Sequence, residues 1–384
     1  MMRIVADENI PYVREAFSAL GDVTTMSGRA MDAGAVRDAD VLLVRSITKV
    51  NGGLLDGSRV RFVATATIGE EHVDKAYLVD RGIGFASAPG SNANSVAEYL
   101  VSALLVLSER GLVDLRSARL GIVGVGNVGS RVLKKAAALG VTCVLNDPPL
   151  ERETGDSVYR PLDEILECNV VTLHVPLTSD GPDATYHLVD KSFVERMRPG
   201  AILVNTSRGA VADGAALAAG LDSGHLGTCV LDVWQGEPDV DIKLLKRVAI
   251  GTPHIAGYSF DGKVNGTRQI YEAACGFFDQ PCEWNPFPLL PQPECPQVRV
   301  SGAFGTADEE LRKAVFSVYD VGRDDAAMRR LLDVPAEARP GLFDQLRKTY
   351  PRRREFFNTT ALIEPPNPQL EAQLSGIGFN CKAS

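Results

Sequence analysis

Leu120 to Asp147 read LGIVGVGNVGSRVLKKAAALGVTCVLND, and this stretch decides the fold. A short apolar run (Leu120, Ile122, Val123) ends in Gly124-Val125-Gly126-Asn127-Val128-Gly129. A helical pattern then runs to Leu139 and stops at Gly140, and a β-rich run ends in Asp147. Strand, glycine turn, helix, strand and acid follow one another as a dinucleotide site requires. Gly124 permits the tight turn, Gly126 lets the backbone approach a pyrophosphate, and Gly129 lets helix and sheet pack closely. The helix N-terminus, with Asn127 and Val128 in its first turn, offers unsatisfied N–H groups and a partial positive charge to the phosphates. Asp147 can accept hydrogen bonds from the ribose 2′- and 3′-hydroxyls and would repel a 2′-phosphate. The expected cofactor is therefore NAD rather than NADP.

Outward from this unit, 384 residues at 45% hydrophobic content suffice for a large core and two or three domains. A net charge of −9 gives no general field for nucleic acid or an anionic membrane, so an anionic substrate has to be held by a local cluster. The seven cysteines (143, 168, 229, 275, 282, 295 and 381) are scattered, with no CxxC and no metal-like pairing with histidine. They read as reduced thiols of a cytoplasmic protein with no metal. The N-terminus opens directly into Arg3-Ile4-Val5-Ala6-Asp7, a strand without a signal-peptide pattern, and no stretch is apolar and long enough to span a membrane.

Up to about Pro89, β-rich runs (Ile4 to Ala6, Val41 to Val44, Arg61 to Thr65, Ile83 to Ala86) alternate with helical stretches, one opened by Asn9 and Pro11, another closing before Gly82. This alternation predicts a parallel sheet covered on both faces. At the carboxyl ends of two of its strands lie Arg45-Ser46-Ile47-Thr48-Lys49 and Thr65-Ala66-Thr67-Ile68-Gly69, the edge at which open α/β sheets bind ligands. Arg45, Ser46, Lys49 and Thr67 form a candidate anion-binding rim there. Ser91 to Arg110 is apolar around most of its circumference and reads as a helix buried between layers, joining the first domain to the nucleotide domain.

Beyond Asp147, further strands end in His174-Val175-Pro176, Asn205-Thr206-Ser207-Arg208, Asp232-Val233-Trp234 and Pro253-His254-Ile255. The predicted fold class is α/β, with two doubly wound parallel-sheet (Rossmann-like) domains and a small C-terminal α+β domain. The expected domains are 1–95 with 256–280 for substrate, 96–255 for NAD, a linker at 281–296 whose PCEWNPFPLLPQPECP carries six prolines, and 297–384. The last of these carries no chemical motif and reads as an assembly or regulatory module. Its basic run Arg352-Arg353-Arg354 reads as a solvated face.

Arg208, Glu237 and His254 are the ionisable residues that stand out at strand ends. Moving a hydride from a secondary alcohol to nicotinamide needs a base for the hydroxyl proton and a cation for the substrate. Imidazole titrates near neutrality, and a neighbouring carboxylate fixes its tautomer. A guanidinium grips a carboxylate bidentately, so the set fits an α-hydroxy acid. His174 reads as lining the cofactor crevice. His72, His187 and His225 read as non-functional, without partners.

Gly124 to Gly129 with Asp147, Asn205 to Gly209, Leu231 to Pro238 and Pro253 to Gly257 together resemble the D-isomer-specific 2-hydroxyacid dehydrogenases, over roughly residues 1 to 280. The resemblance implies that Arg208 binds the substrate carboxylate and that His254 is the acid–base group assisted by Glu237. It also implies that Thr206, Ser207, Asp232 and Gly257 join the glycine loop around NAD, and that two domains close over the substrate. The opening Val5 to Pro11, the Ala64 to Gly69 loop and His254 to Ser259 point to a member acting on a phosphorylated hydroxy acid. There Ser46, Thr67 and Tyr258 match substrate-contacting positions, and the C-terminal module implies a homodimer. Arg45-Ser46 through Lys49-Val50 also fit a member of the family acting on 3-phosphoglycerate, whose regulated forms would be inhibited by serine; a NAD-sensing binding protein on the same fold is the contrasting reading from another class. Retention of all three of Arg208, Glu237 and His254 argues against it.

Overall fold

The computed structural model describes residues 1–303, 305 and 307–383. Its contacts divide the chain into two units, Met1–Asn92 with Ser259–Gln292, and Ala93–Tyr258 with Pro293–Ser384.

The first unit is built on five parallel strands, β1 (Met2–Asp7), β2 (Gly21–Met26), β3 (Val41–Val44), β4 (Phe62–Thr65) and β5 (Gly84–Ala86), in the order β2-β1-β3-β4-β5. β3 and β4 are buried along their whole length, as strands covered on both faces must be. One covering helix, Phe260–Phe277, returns from far along the chain. Its Ile270, Tyr271 and Ala274 pack with Ile4, Phe17 and Phe62, and Ser259 caps its start by accepting the Gly262 N–H at 2.9 Å. The helix expected after Asn9 runs from Val13 to Phe17, behind Tyr12 in the left-handed region.

The second unit holds six parallel strands, β6 (Arg119–Val123), β7 (Thr142–Asn146), β8 (Val170–Leu173), β9 (Ala201–Asn205), β10 (Leu226–Leu231) and β11 (Ile250–Gly251), in the order β11-β10-β9-β8-β6-β7. The chain runs outward to β7 on one side of β6 and to β8, β9 and β10 on the other. The carboxyl ends of β6 and β8 therefore flank the switch point at which such sheets bind ligands. Helix Ala93–Glu109 is buried from Val96 to Leu107 on every face, as its all-round apolar pattern requires.

The C-terminal module adds a sheet of β12 (Gln297–Ser301), β13 (Thr360–Glu364) and β14 (Asn380–Ala383), all parallel. Helices Ala307–Val318, Val321–Arg329 and Arg339–Lys348 fill the first crossover and Pro368–Ile377 the second. The module shares one apolar cluster with the nucleotide fold, in which Val298, Leu311, Ala361 and Leu370 join Leu100, Leu104, Ile122 and Val132. A Cβ on Gly376 would stand 2.4 Å from the Ala138 Cβ, so that glycine sets how closely the two packed helices approach.

One expectation is corrected here. Arg353 and Arg354 are each only 7% exposed, whereas Arg352 is exposed. A carboxylate on helix Ala93–Glu109, Glu98, draws Arg353 inward across 255 positions of sequence. Among the described residues no helix is long and apolar enough to cross a membrane, and no group of three or more His, Cys, Asp or Glu could hold a metal ion.

Candidate active site

β6 delivers Gly124 at φ 84°, where a Cβ would meet the His174 carbonyl at 2.6 Å. Only glycine fits at that approach of the β6 and β8 ends. A Cβ on Gly129 would stand 2.0 Å from the Gly124 oxygen, so helix Asn127–Ala138 can start this close to the strand only without one. Gly126, by contrast, has nothing within 4 Å of its Cβ direction and presents open backbone at the helix N-terminus. This is the cradle a pyrophosphate needs, and the residues present fit NAD. Asp147, at the tip of β7, accepts the Val125 N–H at 2.7 Å and caps the next helix through the Leu150 N–H at 3.1 Å. Its carboxylate is thus fixed beside the glycine turn and half-buried, with lone pairs left for a ribose.

His174 follows β8. Its Nε2 lies 3.0 Å from Thr172 Oγ1 and its Nδ1 3.4 Å from Thr206 Oγ1, and desolvation pushes its pKa down to about 3. The ring is thus neutral at the carboxyl end of β8. Thr206 and Ser207 follow β9, and Ser207 donates to Asn205 Oδ1 at 2.8 Å. Arg208 comes next, half-buried, with Nη1 donating to the Ser207 carbonyl at 2.9 Å. A Cβ on Gly209 would stand 2.0 Å from the Trp234 oxygen, so the backbone after Arg208 lies against the loop that carries Glu237.

That loop delivers the acid to the imidazole. Glu237 Oε1 accepts the Trp234 N–H at 2.7 Å, and Oε2 lies 2.8 Å from His254 Nδ1. A carboxylate accepts only, so Nδ1 carries the proton and Nε2 presents its lone pair. His254 itself is held at φ 57°, with its N–H on the Asp232 carbonyl at 2.7 Å. Asp232 is 1% exposed. Its carboxylate accepts from Ile255 N–H (2.8 Å), Ala256 N–H (2.9 Å) and Thr252 Oγ1 (2.6 Å). The place the structure gives Asp232 is beneath the His254 segment, as the anchor of its backbone. Gly257 occupies the following turn, closed by the Tyr258 N–H on the Ile255 carbonyl at 2.8 Å. Tyr258 packs edge-on to Tyr350, with ring centroids 5.9 Å apart, and its ring lies 5.8 Å from the Arg347 guanidinium carbon.

In the first unit the anticipated rim divides. Ser46 and Lys49 line an open cavity of about 590 Å³ together with Glu71, His72 and Asp74. Thr67 belongs to a small network in which Thr65 Oγ1 lies 2.7 Å from Thr67 Oγ1 and 3.0 Å from His72 Nε2. The pKa of Lys263 falls to about 8, through desolvation first and the nearby Arg45 charge second. Sequence reasoning missed Lys263. The available signal was a cation in the first turns of the helix that directly follows Tyr258. The partnerless reading of three histidines is corrected as well. His72 meets Thr65, His187 lies 3.0 Å from Gln235 Nε2, and His225 lies 2.8 Å from the Met197 carbonyl.

The NAD-binding domain of the D-isomer-specific 2-hydroxyacid dehydrogenases matches residues 106–256, and a domain of unknown function, DUF3410, matches residues 289–378. The chain is 46% identical over 380 residues, 99% of its length and 98% of the relative's, to an erythronate-4-phosphate dehydrogenase of Klebsiella pneumoniae. A protein of the same name from Cronobacter sakazakii is 47% identical over 381 residues, with 99% of this chain and 98% of that one covered. Among solved structures, D-lactate dehydrogenase of Aquifex aeolicus with NAD and lactic acid superposes with a TM-score of 0.60 at 25% identity, covering 72% of this chain and 95% of that one. The NAD+-bound 3-phosphoglycerate dehydrogenase of Entamoeba histolytica shares the fold at a TM-score of 0.62 and 24% identity, with 72% and 95% covered.

Proposed function

The chain belongs to the D-isomer-specific 2-hydroxyacid dehydrogenase family, and from that premise we propose that it oxidises 4-phospho-D-erythronate to 2-oxo-3-hydroxy-4-phosphobutanoate with NAD, a step of pyridoxal phosphate synthesis. The observation that carries the reading is the Glu237–His254 pair at 2.8 Å, set at a strand end in the same unit as the glycine cradle. NAD supplies the hydride acceptor for C2. His254 Nε2 takes the C2 hydroxyl proton, and Glu237 stabilises the imidazolium that results. Arg208 grips the carboxylate and polarises the oxygen on C2 as it becomes a carbonyl.

Gly124, Gly126, Asn127, Val128 and Gly129 hold the pyrophosphate, Asp147 the ribose hydroxyls, and His174, Thr206, Ser207, Asp232 and Gly257 complete the cofactor site. Arg45, Ser46, Lys49, Thr67 and Tyr258 serve the substrate, with Lys263 joining Arg45 at its phosphate. The C-terminal module forms a homodimer, and the enzyme works in the cytoplasm.

The deciding experiment compares kcat/KM for 4-phospho-D-erythronate, 3-phospho-D-glycerate and unphosphorylated D-hydroxy acids, with a 2-oxoacid as alternative electron acceptor. A clear preference for phosphoerythronate is expected. Preference for phosphoglycerate, with inhibition by serine, would reassign the substrate and leave the chemistry intact. Absence of turnover with every acid, alongside tight NADH binding, would favour a NAD-sensing binding protein.

A further inference from the structure

The basic run expected to be solvated holds a buried and heavily engaged cation, Arg353. The Arg353 side chain is 4% exposed. Its Nη1 lies 3.2 Å from Glu98 Oε2, and its guanidinium carbon stands 4.0 Å from the centre of the Tyr319 ring. Its Nη2 donates to the Ser95 hydroxyl, to the Ser95 carbonyl at 3.3 Å and to the Ala256 carbonyl at 3.4 Å. The Ser95 hydroxyl donates to that same Ala256 oxygen at 2.8 Å. Glu98, fully buried, is fixed in turn by the Phe356 N–H at 2.9 Å and Asn94 Nδ2 at 3.1 Å, with Lys135 Nζ 3.9 Å away.

Ala256 is two residues beyond His254. Its N–H and that of Ile255 are taken by Asp232, and its C=O by Ser95 and Arg353. The peptides that follow the imidazole are therefore held from both directions, one hold coming from the nucleotide sheet and the other passing through the C-terminal module. Tyr258 extends the second hold against Tyr350 and Arg347. A residue kept in the left-handed region, as His254 is, persists only where its surroundings over-determine it.

We propose that Arg353 is a positioning residue for His254: acting through Ser95 and the Ala256 carbonyl, the C-terminal module sets the placement of the catalytic imidazole. The proposal rests on His254 being the acid–base group. A misplacement of about 1 Å at a reacting group costs on the order of 10²-fold in rate, so the module contributes to turnover itself.

Full-length Ser95→Ala and Arg353→Lys variants test this. Ser95→Ala leaves the Glu98–Arg353 pair intact and so keeps the test usable if the arginine variant fails to fold. Expected for both is a kcat lowered by about 10- to 100-fold, with KM for the hydroxy acid and Kd for NADH little changed and the oligomeric state retained. Imidazole ¹⁵N spectra, with His254→Asn assigning the signal among five histidines, should show the Nδ1–Nε2 tautomer balance of His254 displaced. A lowered melting temperature with unchanged kcat per folded molecule and an unmoved His254 signal would overturn the proposal. If the wild-type chain turned over no hydroxy acid, the activity reading would fail, whereas the His254 signal in the two variants would still decide the positioning role.

Discussion

Glu237 and His254 meet at 2.8 Å, and the oxygen of Glu237 that does not touch the imidazole is taken by the Trp234 N–H at 2.7 Å. The acid is thus held by its own loop before it orients the histidine. His254→Asn should lower turnover by about 10²- to 10⁴-fold, the range of a positioned general base, with NADH affinity, read by fluorescence titration, little altered. Equal loss of both would make the residue structural. Glu237→Gln should cost less than His254→Asn, since an amide oxygen can still accept from Nδ1. Equal losses would mean that the charge matters more than the tautomer.

Arg208→Lys should raise KM and lower kcat together, by about 10- to 100-fold in kcat/KM, because an ammonium cannot form the paired contacts of a guanidinium. Steady-state kinetics across hydroxy acids provide the check. An unchanged KM would take Arg208 out of the substrate site.

Asp147 does two jobs that one substitution can separate. Asp147→Ala removes the cap on the Leu150 N–H and should destabilise the fold by about 1 kcal/mol, besides relaxing the preference for NAD. Asp147→Asn keeps an accepting oxygen and removes the charge. It should therefore raise kcat/KM with NADP while lowering the melting temperature less than alanine does, since the two carboxylate oxygens accept separately from Val125 and Leu150 and only one of them becomes an NH2. Unchanged cofactor preference in both variants would refute the ribose role.

Lys263 predicts a pH dependence. Its pKa is pushed down to about 8 in the fold, below the ordinary lysine value, by desolvation and by Arg45. As pH rises through about 8 the ammonium is lost, so KM for a phosphorylated substrate should climb, and in Lys263→Arg that climb should vanish. The stability effect has the opposite sense. The folded state disfavours the charged amine, so the protein without ligand should gain stability between about pH 8 and the unfolded lysine value near 10.4. A flat KM across that range in the parent would remove Lys263 from the phosphate subsite.

The glycine turn was legible because its constraint is local. A positive φ at Gly124 and the Gly124 carbonyl beside Gly129 disfavour a Cβ within the turn itself, and only the added clash of Gly124 with the His174 carbonyl comes from elsewhere in the chain. The buried strands β3, β4 and β9 were legible as unbroken apolar runs, and Arg208, Glu237 and His254 as polar residues where such runs end. β2 was not singled out: GDVTTM lies at the sheet edge and buries only alternate residues at its start. Arg353 and Lys263 were misread or missed for a shared reason. What draws Arg353 inward is Glu98, and what shifts Lys263 is burial together with the charge of Arg45. Neither partner is near in sequence, and a cation's local pattern is the same whether it meets solvent or a distant carboxylate.

The helix that carries Glu98 makes the C-terminal module difficult to lose. A chain ending at Gln292 would lose the Arg353 guanidinium and the Phe356 N–H that engage Glu98, together with Val298, Leu311, Ala361 and Leu370 of the apolar cluster shared with the helix that carries it. Each 100 Å² of apolar surface so uncovered costs about 2.5 kcal/mol, set against the roughly 5–15 kcal/mol that holds a typical domain folded. Truncation of the gene is therefore tolerable only if the apolar face of helix Ala93–Glu109 changes with it, and acquisition of the module by fusion faces the mirror-image requirement. Dehydrogenases of this family that end before such a module should carry a more polar face on the corresponding helix.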